Sequence, residues 1–285
     1  AFYVNASNGA GGGQTFHSTG FDVDMAITKK TTGGVNYIST RLTGQQFLRT
    51  EGTNVEDNNG PFLFDVSKGV TKTGGGGNGN DPYVTYAWKR AKGFMDVVTY
   101  NGNSSNSVVK HSLGAIPEMI IYKCRSNGAS NRFWTVYHAS EGASKYQRLN
   151  EVYGNDPALD LYQTTPTATQ FYARQGFSVV NETGYTYIAY LFATLAGISK
   201  VGSYTGNGSY QTIPCGFSSG SRFILIRRRD LNSSEWFYWD SARGIVAGND
   251  PHAYLNGSGA QVTNDDSVDP HNSGFIVNQV AATNI

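Results

Sequence analysis

The strongest constraint on this chain is an internal repeat. Residues 83–103 and 187–207 carry the same pattern without a gap, at an offset of 104 residues in a chain of 285. The matched positions are Tyr83, Tyr86, Trp88, Gly93, Tyr100, Gly102 and Asn103 in the first segment, and Tyr187, Tyr190, Phe192, Gly197, Tyr204, Gly206 and Asn207 in the second. A propeller blade needs only about 40–45 residues, so this period suits a small domain instead. The chain is therefore expected to hold three diverged copies of one module.

Three further elements recur in a constant order. An apolar run with basic residues at its end reads MAITKK at 25–30, MIIYKCR at 119–125 and FILIRRR at 223–229. An aromatic stretch follows as VNYISTRLTG at 35–44, FWTVYHASEG at 133–142 and WFYWDSARG at 236–244. A later Gly-Phe element reads GFSVV at 176–180 and GFIVN at 274–278, with FLFDV at 62–66 as its distant counterpart.

These elements have the composition of β-strands. They are short, rich in β-branched and aromatic residues, and bounded by Gly, Asn, Ser or Pro. Asn-Gly pairs at 101–102, 127–128, 207–208 and 256–257 favour hairpin turns. The sequence predicts an all-β fold, a tandem array of three antiparallel β-sandwich modules of jelly-roll-like type. The basic ends of the apolar runs are interpreted as solvated strand edges.

The predicted modules span residues 1–104, 105–208 and 209–285. The third module stops where the second continues into YTYIAYLFA, so it is expected to lack its last strand. Either the chain is truncated there, or another segment or chain supplies the strand by β-augmentation.

Charge and cysteine content exclude several classes of protein. Lys and Arg number 22 and Asp and Glu 21, which leaves no basic surface for nucleic acid. No apolar run approaches the length of a membrane span, so membrane insertion is not expected. Cys124 and Cys215 are too few for a zinc site, and whether they pair is open. The five histidines have no metal-ligand spacing, and no cofactor is expected.

The aromatic strands offer candidate contact residues. Trp134, Tyr137, Trp236, Tyr238 and Trp239 lie on strands whose alternation sends some side chains to the surface. Exposed aromatic rings can stack on sugar rings. These five residues are therefore the candidates for contact with a glycan or a protein partner.

Catalytic patterns are weak. GFSSG at 216–220 matches the nucleophile elbow, but Ser218 precedes a strand where that motif requires a helix. A glycan depolymerase would need paired carboxylates in a cleft, for which Asp240, Glu235 and Glu141 are the candidates. Because none of these patterns is complete, the chain is not expected to be an enzyme.

The repeated module resembles one found in tail-fibre-like and virion-associated proteins of marine phages, including cyanophages. The resemblance depends on YTGNG at 204–208, FILIRRR at 223–229, WFYWDSARG at 236–244 and the Gly-Phe pair at 274–275, with YIAYLFA at 187–193 in the second copy. It covers most of residues 105–285 and only weakly residues 1–104.

The resemblance implies a structural or attachment protein of a phage particle, such as a tail-fibre, appendage or decoration component. Its partners would be other virion proteins or a host-surface glycan, its location the virion or the extracellular space, and its state a homo-oligomer, with a trimer favoured. Asp240 and Arg243 would form an ion pair that braces a turn. The alternatives are a carbohydrate-binding module of a bacterial extracellular protein and a glycan depolymerase.

Overall fold

The computed structural model describes residues 1–8, 13–73, 81–129, 131–154, 156–157 and 161–285. Within these residues the chain forms antiparallel β-sheets, one 3₁₀ turn at Gly142–Ser144 and one short helix, α1 (Ala281–Asn284). The predicted all-β fold is confirmed. The sheets group into three units of two sheets each, and the sheet that faces the common core is called the large sheet, although both sheets of the third unit have three strands.

The first unit contains eight strands: β1 (Phe2–Asn8), β2 (Thr15–Ser18), β3 (Met25–Lys30), β4 (Asn36–Thr40), β5 (Leu48–Arg49), β6 (Phe62–Leu63), β7 (Gly69–Lys72) and β8 (Pro82–Trp88). The large sheet has the order β1-β8-β3-β4-β5, and the small sheet has the order β2-β7-β6.

The second unit contains β9 (Met95–Asn101), β10 (Ser107–Lys110), β11 (Met119–Cys124), β12 (Thr135–His138), β13 (Lys145–Arg148), β14 (Asp156–Pro157), β15 (Gln170–Ala173) and β16 (Thr186–Phe192). The order of its large sheet is β14-β13-β12-β11-β16-β9, and β10 pairs with β15 in the small sheet.

The third unit contains β17 (Gln211–Pro214), β18 (Phe223–Ile226), β19 (Phe237–Asp240), β20 (His252–Tyr254), β21 (Val268–His271) and β22 (Gly274–Val277). Its large sheet has only the order β18-β19-β20, and its small sheet has the order β17-β22-β21.

The large sheets are buried on both faces. In each unit the outer face packs against the small sheet, as Ala26 and Ala87 do against Phe62 and Val70 in the first unit. The inner faces of all three large sheets meet in one common core. That core contains Ile27, Tyr86, Val97, Ile121, Trp134, Tyr190, Trp236 and Tyr238. The three units therefore surround a shared interior, whereas independent modules in a row would each enclose their own.

Equivalent residues of the three units share one register. Met25, Met119 and Phe223 lie opposite Thr40, His138 and Asp240, respectively. Four residues after each of these partners comes a glycine, Gly44, Gly142 or Gly244, with φ of 65°, 68° and 116°. Glycine adopts this left-handed backbone without the steric cost that a Cβ imposes. The turn after the aromatic strand therefore has a glycine with positive φ at the same position in all three units.

The structure corrects two details of the predicted repeat. Strand β9 pairs with β16 of the second unit, so that unit begins before residue 105. Pairing also shows that β22, the GFIV strand, corresponds to Gln170–Ala173, because each pairs with the first strand of its small sheet. The GFSVV stretch at 176–180 forms a turn in which Phe177 bridges Asn181. A shared Gly-Phe pair was the wrong criterion, since pairing is decided by strand neighbours far away in sequence.

Hydrogen bonds link the units in a closed cycle. Trp134 of the second unit donates its Nε1–H to the Arg49 carbonyl of the first, at 3.0 Å. Trp236 of the third donates in the same way to the Arg148 carbonyl of the second, also at 3.0 Å. Asn36 stands in the equivalent position of the first unit, and its Nδ2 donates to the Tyr254 carbonyl of the third at 3.1 Å. Each unit is therefore bound to the one before it, and the first to the last.

One basic residue of each apolar run, Lys29, Lys123 or Arg227, contacts the neighbouring unit and is not a solvated edge. Lys29 and Lys123 are only 3% and 0% exposed, because the common core covers them. Burial lowers the pKa of each to about 8. Their ammonium groups, and the guanidinium of the equivalent Arg227, donate to carbonyl oxygens of the neighbouring unit, namely Gly257 from Lys29, Thr53 from Lys123, and Arg148 and Glu151 from Arg227. The interpretation as edge charges was wrong for these three residues because it ignored the adjacent unit, whereas Arg229 is exposed.

Candidate strand-binding groove

The five aromatic residues predicted to contact a glycan lie in the interior. Trp134, Tyr137, Trp236, Tyr238 and Trp239 are between 0% and 4% exposed. Alternation sends their side chains to opposite faces of the large sheets, but both faces are covered. Trp134, Trp236 and Tyr238 belong to the common core, whereas Tyr137 and Trp239 pack beneath the small sheets. They cannot stack on a sugar, and that prediction is corrected.

The Asp240–Arg243 pair forms, and it reaches beyond its own turn. Arg243 Nε lies 2.5 Å from Asp240 Oδ2, and Asp240 Oδ1 accepts the backbone N–H groups of Ala242 and Arg243 at 2.9 Å. Tyr86 of the first unit donates its hydroxyl to Asp240 Oδ2 at 2.8 Å. Burial would lower the pKa of Arg243, but the negative charge beside it raises that pKa above its ordinary value. The pair therefore connects the turn to the neighbouring unit.

The other candidate reactive groups are bound in structural contacts. Glu141 pairs with Arg229 and Lys145, and Glu235 accepts a hydrogen bond from Asn256. Cys124 is buried and Cys215 half-buried, and both are free thiols. Across the described ranges, His, Cys, Asp and Glu form no cluster of three or more with metal-binding geometry. The described helix is too short to cross a membrane, and so no such span is found.

One strand position of the third unit is unfilled. In the first unit, β8 lies between β1 and β3; in the second, β16 lies between β9 and β11. In the third unit β18 is the counterpart of β3 and β11, and in the described part of the chain it pairs only with β19. The second edge of β18 therefore faces a space that no described strand fills.

Residues 199–205 form the opposite side of this space. Leu195 bridges Ser199 as Ala91 bridges Met95, the first residue of β9. Tyr204 donates its hydroxyl to the Thr283 carbonyl at 2.6 Å, as Tyr100 of β9 does to Val180 at 2.8 Å. This segment thus occupies the position of β9, yet it belongs to none of the assigned strands.

The space between these two edges is one part of a groove that continues into the common core and has a total volume of about 1250 Å³. Its apolar lining comes from all three units and includes Phe2, Trp88, Phe94, Met119, Ile121, Tyr190, Phe192, Phe223 and Leu225. One wall is an aromatic cluster, in which the Phe223 ring lies 5.8 Å from Phe2 and 5.7 Å from Trp88. The groove therefore opens onto the common core.

Polar groups lie along part of the lining. His138 of the second unit, Ser140 and Arg228 belong to it. Burial, and then the charge of Arg229, lower the pKa of His138 below its ordinary value. His138 stands at the position of Asp240, the residue that meets the Tyr86 hydroxyl. An apolar base with polar groups at fixed places suits a peptide segment better than a small charged metabolite.

Sequence comparison places the chain in one family. Residues 2–284 match the family described as a domain of unknown function, DUF7483. No curated protein and no solved structure matches the chain. Since the match covers almost every residue, the chain belongs to the DUF7483 family.

Proposed function

We propose that this chain is a non-catalytic structural and attachment protein of a phage particle, carried on the outside of the virion. The observation that supports this function is a body of three units around one shared core, in which one edge of β18 has no partner strand among the described residues. An unpaired strand edge is a means of joining polypeptides, because an added strand contributes both backbone hydrogen bonds and side-chain burial. The resemblance to virion-associated modules supports the same function.

The buried aromatic residues favour protein partners over a glycan. The case for sugar binding depended on rings exposed along the strands, and the five candidates are covered. The groove offers a strand edge, a surface that another polypeptide matches and a sugar does not. Other virion proteins are therefore the proposed partners, and carbohydrate binding has no specific support here.

Purified phage particles that encode a chain of this family test the proposal. Quantitative mass spectrometry should find the chain at a fixed copy number per particle, and immunogold labelling should place it on the tail or an appendage. Absence from washed particles, with the chain only in the lysate, would contradict a virion role. Shortening of host polysaccharide by the purified chain would contradict the non-catalytic part.

The homo-oligomer, with a trimer favoured, is a separate part of the proposal. Light scattering across a range of concentrations should return a mass of several chains. A mass near 30.8 kDa at the highest concentration would show a monomer.

A further inference from the structure

We propose that Lys29 and Asn36 join covalently, through an amide bond between the Lys29 amine and the side-chain carbonyl of Asn36, with release of ammonia. The bond links β3 to β4 inside the first unit, at the contact of that unit with the third. It is a modification of the folded chain by itself and does not depend on the proposed role in a virion.

The two side chains face each other in the interior. Lys29 on β3 and Asn36 on β4 are direct partners across the antiparallel pair, so their side chains leave the sheet on the same face. They are only 3% and 0% exposed. Lys29 Nζ lies 2.8 Å from the Gly257 carbonyl oxygen, and Asn36 Nδ2 lies 3.1 Å from the same oxygen. Because the two nitrogen atoms share one acceptor, the amine lies beside the amide that it attacks.

Burial favours the reactive form of the amine. A lysine attacks a carbonyl carbon only after losing its proton, and removal from water stabilises that neutral form. Burial lowers the pKa of Lys29 to about 8, with the charge of Glu51 opposing this effect and the charge of Arg243 adding to it. The neutral amine is therefore accessible near neutral pH, where an exposed lysine is almost entirely protonated.

The third unit holds the Asn36 amide for attack. Tyr238 of that unit donates its hydroxyl to Asn36 Oδ1 at 3.2 Å. This oxygen is the atom on which negative charge develops when the amine adds to Cγ. Tyr238 is buried, so water does not compete for the hydrogen bond. The contact between the units thus supplies the stabilisation that the addition step requires.

Glu51 is placed to carry the proton. Its Oε2 accepts the backbone N–H of Asn36 at 3.2 Å. Burial raises the pKa of Glu51, opposed by hydrogen bonds from backbone N–H groups and by the charge of Lys29. As the new bond from Nζ to Cγ forms, the lysine nitrogen gives up one proton, which passes through Glu51 to Asn36 Nδ2. The bond from Cγ to Nδ2 then breaks and Nδ2 leaves as ammonia, so the exchange of one amide for another needs no co-reactant.

The product fits the site. A neutral amide replaces a buried ammonium, which removes the cost of keeping that charge away from water. The single N–H that remains can donate to the Gly257 carbonyl, the acceptor that both nitrogens share. Trp134 and Trp236 stand at the position of Asn36 in the other units and offer no side-chain carbonyl. The bond is therefore specific to the contact between the first and third units.

Intact-mass spectrometry of the purified, folded chain tests the proposal. We expect a mass below that of the sequence by one molecule of ammonia. Trypsin should then release a branched pair, in which the peptide that ends at Lys30 is joined to residues 31–41. Fragmentation of this pair locates the junction, since Asn-Gly pairs can also lose ammonia by cyclising on the backbone. The full sequence mass, or a loss located only at other asparagines, would overturn the proposal.

Three variants separate the chemistry from folding. Lys29→Arg keeps the charge and the hydrogen-bond donors but has no nucleophilic amine, so the loss of ammonia should disappear. Lys30→Arg changes the neighbouring, partly exposed lysine, which pairs with Asp81, and should keep the loss. Glu51→Gln retains an acceptor for the Asn36 N–H but cannot carry a proton. It should slow the loss by about a hundredfold in time courses of newly synthesised chain.

Each result has an opposite that contradicts the assignment. An unchanged loss of ammonia in Lys29→Arg would place the reaction at another residue. An unchanged rate in Glu51→Gln would remove Glu51 from the reaction. Circular dichroism and melting temperature establish that the variants fold, and if one does not, the mass and the peptide map of the unmodified chain decide the question.

Discussion

At the scale of single residues, Asp240 shows how a local pair becomes a contact between units. Its carboxylate is fully buried and bonded to Arg243 and to the Tyr86 hydroxyl. Asp240→Ala would leave the Arg243 guanidinium buried without its counter-ion, which typically costs about 3–5 kcal/mol. We expect a loss of that size in the free energy of unfolding, measured by urea titration.

The matched control is the exposed pair of Arg228 and Asp230. Its atoms approach to 2.7 Å, but the Asp230 side chain is 66% exposed. Asp230→Ala should therefore cost less than about 1 kcal/mol. Similar losses for the two alanine variants would show that burial does not decide the strength of the Asp240 pair.

The raised pKa of Asp250 predicts that the free energy of unfolding depends on pH. Burial, opposed in part by two backbone hydrogen bonds and reinforced by Asp265 and Asp266, raises its pKa from 3.8 to about 7. The folded state then keeps a proton that the unfolded state loses between about pH 4 and 7. This group's contribution to stability is full below pH 4, falls as the pH rises to 7, and is constant above it.

Asp250→Asn removes this titration. The difference in unfolding free energy between the original chain and the variant should decline from pH 4 to pH 7, by at most about 1.4 kcal/mol per pH unit. Urea titrations at intervals across this range measure it, and His252 and Asp265 are present in both proteins. Parallel curves for the two proteins would show that the Asp250 carboxyl titrates in its ordinary range.

Residue identities predicted local contacts better than distant ones. The spacing of Asp240 and Arg243 was enough to suggest their ion pair, since both lie on one turn. Nothing near them in sequence points to Tyr86, which is 154 residues away. The aromatic residues were misplaced for the same reason, because alternation separates two faces of a strand without showing what covers each.

At the scale of elements, each contact in the cycle between units includes one indole or amide donor. Trp236 Nε1 donates to the Arg148 carbonyl, whereas the equally buried Trp239 Nε1 finds no acceptor among the described residues. Replacing either tryptophan by phenylalanine removes the indole N–H and a similar side-chain volume. Trp236→Phe should therefore lose about 1–2 kcal/mol more than Trp239→Phe, because it removes a buried hydrogen bond, whereas Trp239→Phe removes a buried N–H that has no acceptor among the described residues.

Thermal and urea unfolding of the two tryptophan variants measure this difference. Near-ultraviolet circular dichroism checks that the remaining aromatic residues keep their packing. Equal losses would mean that the contact between the second and third units does not depend on the indole hydrogen bond.

Strand positions could be predicted from composition, but the order of the sheets could not. The runs at 25–30, 119–125 and 223–229 correspond to β3, β11 and β18. Strand β9, however, joins a partner about 90 residues later in the chain, with the predicted module boundary between them. The lining of the groove was not visible in the sequence, since it comes from all three units.

At the scale of the whole molecule, the common core changes what a repeat implies. Tandem modules each enclose their own interior and unfold separately, as repeat arrays approximately do. Here residues of all three units fill one interior, and Lys29, Lys123 and Arg227 each donate to a carbonyl of the preceding unit, the third unit preceding the first. A unit taken alone would expose the inner face of its large sheet.

The shared core predicts one cooperative unfolding transition. Phe171 is fully buried between the two sheets of the second unit, and Phe171→Ala should cost about 3–5 kcal/mol there. We expect the midpoint of the entire chain to fall, with amides of Phe237–Asp240 in the third unit losing protection together with those of the second. Hydrogen exchange in urea measures both. Phe62→Ala provides the matched change in the first unit and should produce the same combined loss. If each substitution released only its own unit, the shared core would be too weak to couple them, and the chain would behave as three domains in contact.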